Sequence, residues 1–124
     1  MQAPTGTRIL VLEDEAIIAL DLEGILSDAG FEIAANIPTC AAALEWLEAN
    51  NADGAILDLT LLDGPCDEVA RRLVAANIPF LVFSGSSPES GVVDPALLMG
   101  SWLGKPAPSR RIVAAVLALM SVQV

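Results

Sequence analysis

Short apolar runs alternate along the chain with longer stretches whose apolar residues recur at three- and four-residue spacing. Arg8–Leu12 is apolar after its first residue, as expected of a strand buried on both faces. Ala16–Asp28 predicts a helix, with Ile18, Leu22, Ile25 and Ala29 at helical spacing and Gly30 closing it. Phe31–Ala35 predicts a second strand. Thr39 stands where it can cap a helix running to about Asn50, with Cys40, Leu44 and Leu47 on one face. Asn51–Gly54 is a turn, and Ala55–Leu57 a short buried strand that ends at Asp58. Asp63-Gly64-Pro65 breaks the chain before a helix over Cys66–Ala76, with Val69 and Leu73 inward. Pro79 opens a strand over Phe80–Phe83, and Trp102-Leu103 forms a short fifth one. Ser109 caps a last helix to about Val122, with Ile112, Val113, Val116, Leu117 and Met120 apolar.

This alternation implies a parallel sheet with helices on both faces and right-handed crossovers. No internal repeat or linker divides the chain, so residues 1–124 read as one domain, with residues 1–6 expected to be flexible. The segment Gly85–Ser101 departs from the pattern. It is rich in Gly, Ser and Pro and carries only one short apolar patch, Pro95–Met99, so a full helix is not expected there.

Composition removes several classes of function. Hydrophobic residues make up 54% of the chain, which is incompatible with a disordered tail. No apolar run reaches the roughly 18 residues that span a membrane, and the start lacks a secretory pattern. The net charge of −10 would be repelled by nucleic-acid phosphates, so direct binding to DNA or RNA is not expected. The absence of histidine removes His-based triads and most zinc sites. Cys40 and Cys66 have no CxxC spacing and each falls near a helix start; they read as reduced, semi-buried thiols of a cytoplasmic protein.

In open parallel sheets, ligands bind beyond the carboxyl ends of the strands, where strand order reverses. The residues just past each strand are therefore the candidates. They are Glu13, Asp14 and Glu15 after the first, Asp58 after the third, Ser84 and Gly85 after the fourth, and Lys105 and Pro106 after the fifth. Each alone has an ordinary reading. Acidic residues favour a helix N-terminus, an aspartate forms turns, Ser-Gly is loop, and Lys-Pro is solvated chain. Together they read differently. Carboxylates crowded on one edge repel unless a hard cation joins them. Mg²⁺ takes one or two carboxylates and bridges phosphate oxygens, and a lysine and a hydroxyl complete the neutralisation of a transferring phosphoryl group.

The ordered set Glu13-Asp14, Asp58, Ser84 and Lys105-Pro106 resembles the response-regulator receiver domain of two-component signalling, over essentially the whole chain. The resemblance implies a flavodoxin-like (βα)₅ fold with sheet order 2-1-3-4-5. It also implies Asp58 as phosphoacceptor, and Mg²⁺ held by Glu13, Asp14, Asp58 and the Thr60 backbone carbonyl. Ser84 would bond the phosphoryl oxygen, Lys105 would pair with the phosphoryl group, and Pro106 would fix the bend that aims it. Gly85 would leave the acceptor accessible, and Gly64 matches the turn after the acceptor strand. Trp102 takes the place of the family's aromatic switch, which is usually Tyr or Phe. The Gly85–Ser101 segment, with Pro79-Phe80 before the fourth strand, resembles stand-alone receivers with a degenerate fourth helix. Val82-Phe83-Ser84-Gly85 matches that subgroup's Phe-Ala-Thr-Gly run only in part.

The resemblance implies a signalling module, not an enzyme acting on metabolites. A sensor histidine kinase or phosphotransfer protein would donate the phosphoryl group, and a downstream protein would read the outcome. A homodimer through the face of the fourth and fifth strands and their helices is a further candidate. Because no output domain follows the last helix, the chain is expected to act through protein contacts or to be a piece of a longer one. Three other readings compete. A haloacid-dehalogenase-type phosphatase wants a second carboxylate two residues after the nucleophile, where this chain has Thr60. A pseudo-receiver, binding proteins without phosphorylation, usually lacks a site residue that is present here. A nucleotide or flavin binder would want a Gly-rich loop where Glu13-Asp14-Glu15 stands.

Overall fold

The computed structural model describes residues 2–85 and 93–121. Five parallel strands form the main sheet: β1 (Arg8–Leu12), β2 (Glu32–Ile37), β3 (Gly54–Leu57), β6 (Phe80–Ser84) and β7 (Ser101–Gly104). Their spatial order is β2-β1-β3-β6-β7, which is 2-1-3-4-5 when only sheet strands are counted. Two further short strands, β4 (Thr60–Leu61) and β5 (Gly64–Pro65), pair antiparallel as a small hairpin just after β3. The helices are α1 (Ala16–Asp28), α2 (Cys40–Ala49), α3 (Asp67–Ala75) and α4 (Ser109–Ser121), with a 3₁₀ turn over Pro95–Met99. The fold is flavodoxin-like, as expected.

The strand residues sort by parity between two cores, because successive side chains point to opposite faces. Leu10 and Leu12 of β1, Ala55 and Leu57 of β3, and Phe80 and Val82 of β6 pack toward α2, α3 and the 3₁₀ turn. Ile9 and Val11, Ile56, and Leu81 and Phe83 pack toward α1 and α4. All eleven are buried, which explains why these segments read as unbroken apolar runs. Burying a Leu or Ile side chain contributes about 1.5–3 kcal/mol, so this two-sided core dominates the stability of the domain.

Several boundaries differ from the sequence reading. β2 runs Glu32–Ile37 rather than Phe31–Ala35. Phe31 is buried but lies before the strand, just after the Gly30 turn at φ +93°, where its N–H bonds Leu26 O. A register shift between Ile9 and Leu10 then lets β2 pair along β1 as far as Ile37. α3 begins at Asp67, with Cys66 as the residue before it. Ser109 is the first helical residue of α4, not its cap; the Pro108 carbonyl accepts from Arg111 and Ile112. The patch Pro95–Met99 is a 3₁₀ turn, in keeping with an irregular fourth helical segment; the rest of the Gly85–Ser101 stretch includes residues 86–92, which lie outside the described ones.

Candidate functional site

Sheet register builds the site. Leu12 pairs with Leu57, so Glu13 and Asp58 emerge side by side beyond the strand ends, and the Asp58 N–H donates to Leu12 O. Ser84 pairs with Gly104, and the Lys105 N–H donates to Ser84 O. The Lys105–Pro106 peptide that follows is cis. Strand order places β1, β3, β6 and β7 in sequence, so four loops converge on one edge.

Lys105 stands at the centre of that edge. Its Nζ donates to Glu13 Oε1 at 2.7 Å and to Asp58 Oδ2 at 2.9 Å. It also lies 5.5 Å from the centroid of the Phe83 ring. Asp58 Oδ1 accepts the Leu59 N–H at 2.7 Å, and Glu13 Oε2 accepts the Glu15 N–H at 3.1 Å. Carboxylate oxygens of Glu13, Asp14 and Asp58 lie within 4.8 Å of one another. Glu13 and Ser84 are buried, while Asp14 and Asp58 are partly open to solvent.

The electrostatics follow from this crowding. Burial raises the pKa of Glu13 above the ordinary glutamate value, against the Lys105 hydrogen bond, which lowers it. Burial alone would lower Lys105, but its bonds to Glu13 and Asp58 outweigh that and hold it above the ordinary lysine value. One ammonium thus sits among three close carboxylates. The uncompensated charge and the all-oxygen donor set fit a hard divalent cation such as Mg²⁺. Such a site can hold a metal beside a carboxylate that keeps one face open to solvent.

The remaining expected residues fall as follows. Thr60 begins β4 and is exposed, its backbone paired with Pro65. Gly85 is exposed, with open space around it. Trp102 is half-buried on β7, and its indole N–H donates to Leu97 O at 3.0 Å, tying the ring to the 3₁₀ turn. Sequence reasoning missed three contributors. Phe83, beneath Lys105, was hidden inside an apolar run. Leu59 acts through its backbone. Asp63, at the hairpin tip, accepts the Cys40 and Ala41 N–H groups at 2.7 and 3.0 Å and so caps α2. Those bonds hold its carboxyl below the ordinary aspartate range. The sequence places Asp63 only in the break Asp63-Gly64-Pro65; the helix it caps begins more than twenty residues upstream.

No model of a known protein family matches the chain. A response regulator receiver protein from Sinorhizobium medicae is 32% identical, covers 96% of this chain and 98% of its own, and superposes with a TM-score of 0.78. The transcriptional regulatory protein PrrA of Mycobacterium tuberculosis is 32% identical over 119 residues, which is 94% of this chain and 51% of PrrA. The chain spans about half the length of the curated relatives it matches. The receiver domain of a sensor histidine kinase from Pseudomonas aeruginosa, with a magnesium ion coordinated in its active site cleft, shares the fold. It has a TM-score of 0.80 at 17% identity, covering 94% of this chain and 99% of that one.

Proposed function

The chain belongs to the response-regulator receiver family of two-component signalling, and from that premise we propose that it accepts a phosphoryl group on Asp58 from a sensor histidine kinase or phosphotransfer protein. The observation that carries this reading is Lys105 Nζ bridging Glu13 and Asp58, with Asp14 in the same cluster. The relative with magnesium in its cleft supports the same arrangement here.

Asp58 is the nucleophile. Its Oδ1 is held by the Leu59 N–H, which fixes the carboxylate plane. An oxygen of the carboxylate attacks phosphorus as the phosphorus–nitrogen bond of the donor's phosphohistidine breaks. The imidazole leaves with the bonding pair, and an acyl phosphate remains on Asp58. Glu13, Asp14, Asp58 and the Thr60 carbonyl would hold Mg²⁺, which supplies charge neutralisation on the phosphoryl oxygens. Lys105 moves from Asp58 Oδ2 to the phosphoryl group, where its cation offsets the added charge. The buried Ser84 hydroxyl bonds a phosphoryl oxygen. Trp102 and the 3₁₀ turn it is tied to report the change to the β6–β7 face, where a downstream protein or a second copy would bind. The product is a signalling state, not a released metabolite.

The donor would approach past α1 and the β4–β5 hairpin, the elements that follow Asp14 and Asp58 in the chain. Ile17 and Leu20 of α1 are 78% and 66% exposed, and Leu62 at the hairpin tip is 69% exposed. Among the described residues no helix is long and apolar enough to cross a membrane. We place the protein in the cytoplasm, where phosphohistidine donors act. The test is intact mass after incubation with magnesium and a small acyl phosphate. One phosphoryl adduct is expected on the wild type and none on Asp58→Asn; an adduct of equal yield on the variant would remove the assignment.

A further inference from the structure

The chain has two cysteines, 26 residues apart in sequence, and the fold brings their sulfurs to 3.6 Å. Cys40 is the first residue of α2, and Cys66 immediately precedes α3. Both are free thiols in this structure. We propose that Cys40 and Cys66 form a reversible dithiol–disulfide site, open to exchange with a low-molecular-weight disulfide such as oxidised glutathione, and that closing it pins the loop carrying Asp58 to α2.

The geometry supports closure. The sulfurs lie 3.6 Å apart, about 1.5 Å more than the ~2.05 Å of a disulfide, so closure needs only that they move together by that much. The two segments are already held against each other by other bonds. Asp63 accepts the Cys40 N–H, and the Cys40 thiol lies 3.4 Å from both Gly64 O and Pro65 O. Two thiols fixed in this way have a high effective concentration for each other, which favours the intramolecular disulfide over a mixed one. Cys40 is half-buried and Cys66 fully buried, so Cys40 is the sulfur an external disulfide reaches first. Burial raises the pKa of both thiols, so the exchange is slow at neutral pH and quickens in alkaline buffer.

The step balances as ordinary thiol exchange. The Cys40 thiolate attacks one sulfur of oxidised glutathione, whose S–S bond breaks, and the departing glutathione thiolate takes up a proton. The Cys66 thiolate then attacks the Cys40 sulfur and expels the second glutathione. The two protein thiols lose two electrons and two protons, and one glutathione disulfide becomes two glutathione thiols. The closed ring encloses β3, Asp58 and the β4–β5 hairpin. Cys66 is joined to this loop by its N–H on Leu59 O at 2.8 Å, one residue from Asp58. The loop would therefore lose freedom relative to α2. None of this depends on what Asp58 does.

The test uses the full chain in alkaline buffer with excess oxidised glutathione, followed by alkylation in denaturant and intact mass. The expected product is lighter by two hydrogens, carries neither glutathione nor alkyl groups, and returns to two alkylatable thiols with dithiothreitol. A non-reducing peptide map should join the Cys40 and Cys66 peptides, and hydrogen exchange across residues 59–66 should slow severalfold in the oxidised form. Cys66→Ala and Cys66→Ser are run in parallel, so that one folded variant remains if the other fails. In these Cys40 should stop at the mixed disulfide with glutathione. A wild-type protein that keeps the glutathione adduct, forms disulfide-linked dimers or retains both thiols would overturn the site. So would an unreactive Cys40 in the folded variants, and unchanged exchange in residues 59–66 would overturn the pinning.

Discussion

Removing the Lys105 ammonium should destabilise the domain in a way that depends on pH. The lysine side chain is 16% exposed, and its partners Glu13 and Asp58 are 2% and 18% exposed. Lys105→Ala would leave Glu13 buried with its charge uncompensated and with one hydrogen bond, to the Glu15 N–H. Breaking a well-buried ion pair by deleting one partner costs ~3–5 kcal/mol. Asp58 keeps access to water, so the low end applies, and about 3 kcal/mol is expected near neutral pH. Protonation offers an escape. Burial already raises the Glu13 pKa above 4.5, and Lys105 is what pulls it back. Without Lys105 it rises further. The folded variant then binds more protons than the unfolded chain in the range above 4.5, so its stability falls as pH rises through that range. The gap to wild type should narrow toward about pH 5 and widen toward about pH 7. In the wild type the lysine's own contribution is fully present below its ordinary value of 10.5 and is lost only as pH rises past its raised folded value. Urea unfolding followed by far-UV circular dichroism at both pH values measures the difference, provided the slope with denaturant is unchanged. A loss below ~0.5 kcal/mol that does not vary with pH would mean that Lys105 is a solvated lysine with no buried ion pair.

Asp14→Ala should weaken magnesium binding by at least about tenfold, roughly 1.4 kcal/mol, in titration calorimetry; equal affinity would remove Asp14 from the metal site. Gly100→Ala should cost about 1–3 kcal/mol in chemical denaturation, because the new methyl would meet Phe80 ring carbons at 2.3 and 2.5 Å and the Phe80 carbonyl at 2.9 Å. No loss there would show that the β6–β7 edge yields more easily than it is packed. With the chain's other tryptophan, Trp46 of α2, replaced by Phe, magnesium with beryllofluoride should shift the emission maximum or iodide quenching of Trp102, since its indole is fastened to Leu97 O beside the face expected to move. A flat signal with the acceptor fully occupied would send the switch to another surface.

The legible parts of the fold were those whose signal is local. Ile9–Leu12, Ala55–Leu57 and Phe80–Phe83 are buried on both faces, and unbroken apolarity is what such strands must show. The bounds of α1 were readable because its apolar spacing and the positive-φ Gly30 turn fall within one window. What escaped depended on contacts distant in sequence. Phe31 looked like strand because it is large and apolar, but its side chain is spent on the core before the strand starts. The β4–β5 hairpin was missed because two-residue strands carry no period. The capping of α2 by Asp63, and the meeting of Cys40 with Cys66, required the third dimension. The site residues themselves stood out because chain order and strand ends together name an edge.

The most direct measurement localises the phosphoryl group. Protein treated with magnesium and a small acyl phosphate is reduced with borohydride, which converts an aspartyl phosphate to homoserine, and is then mapped by peptide sequencing. Homoserine is expected in place of Asp58, with aspartate retained at Asp14. Homoserine at Asp14, or phosphate that survives reduction on a serine or threonine, would contradict it.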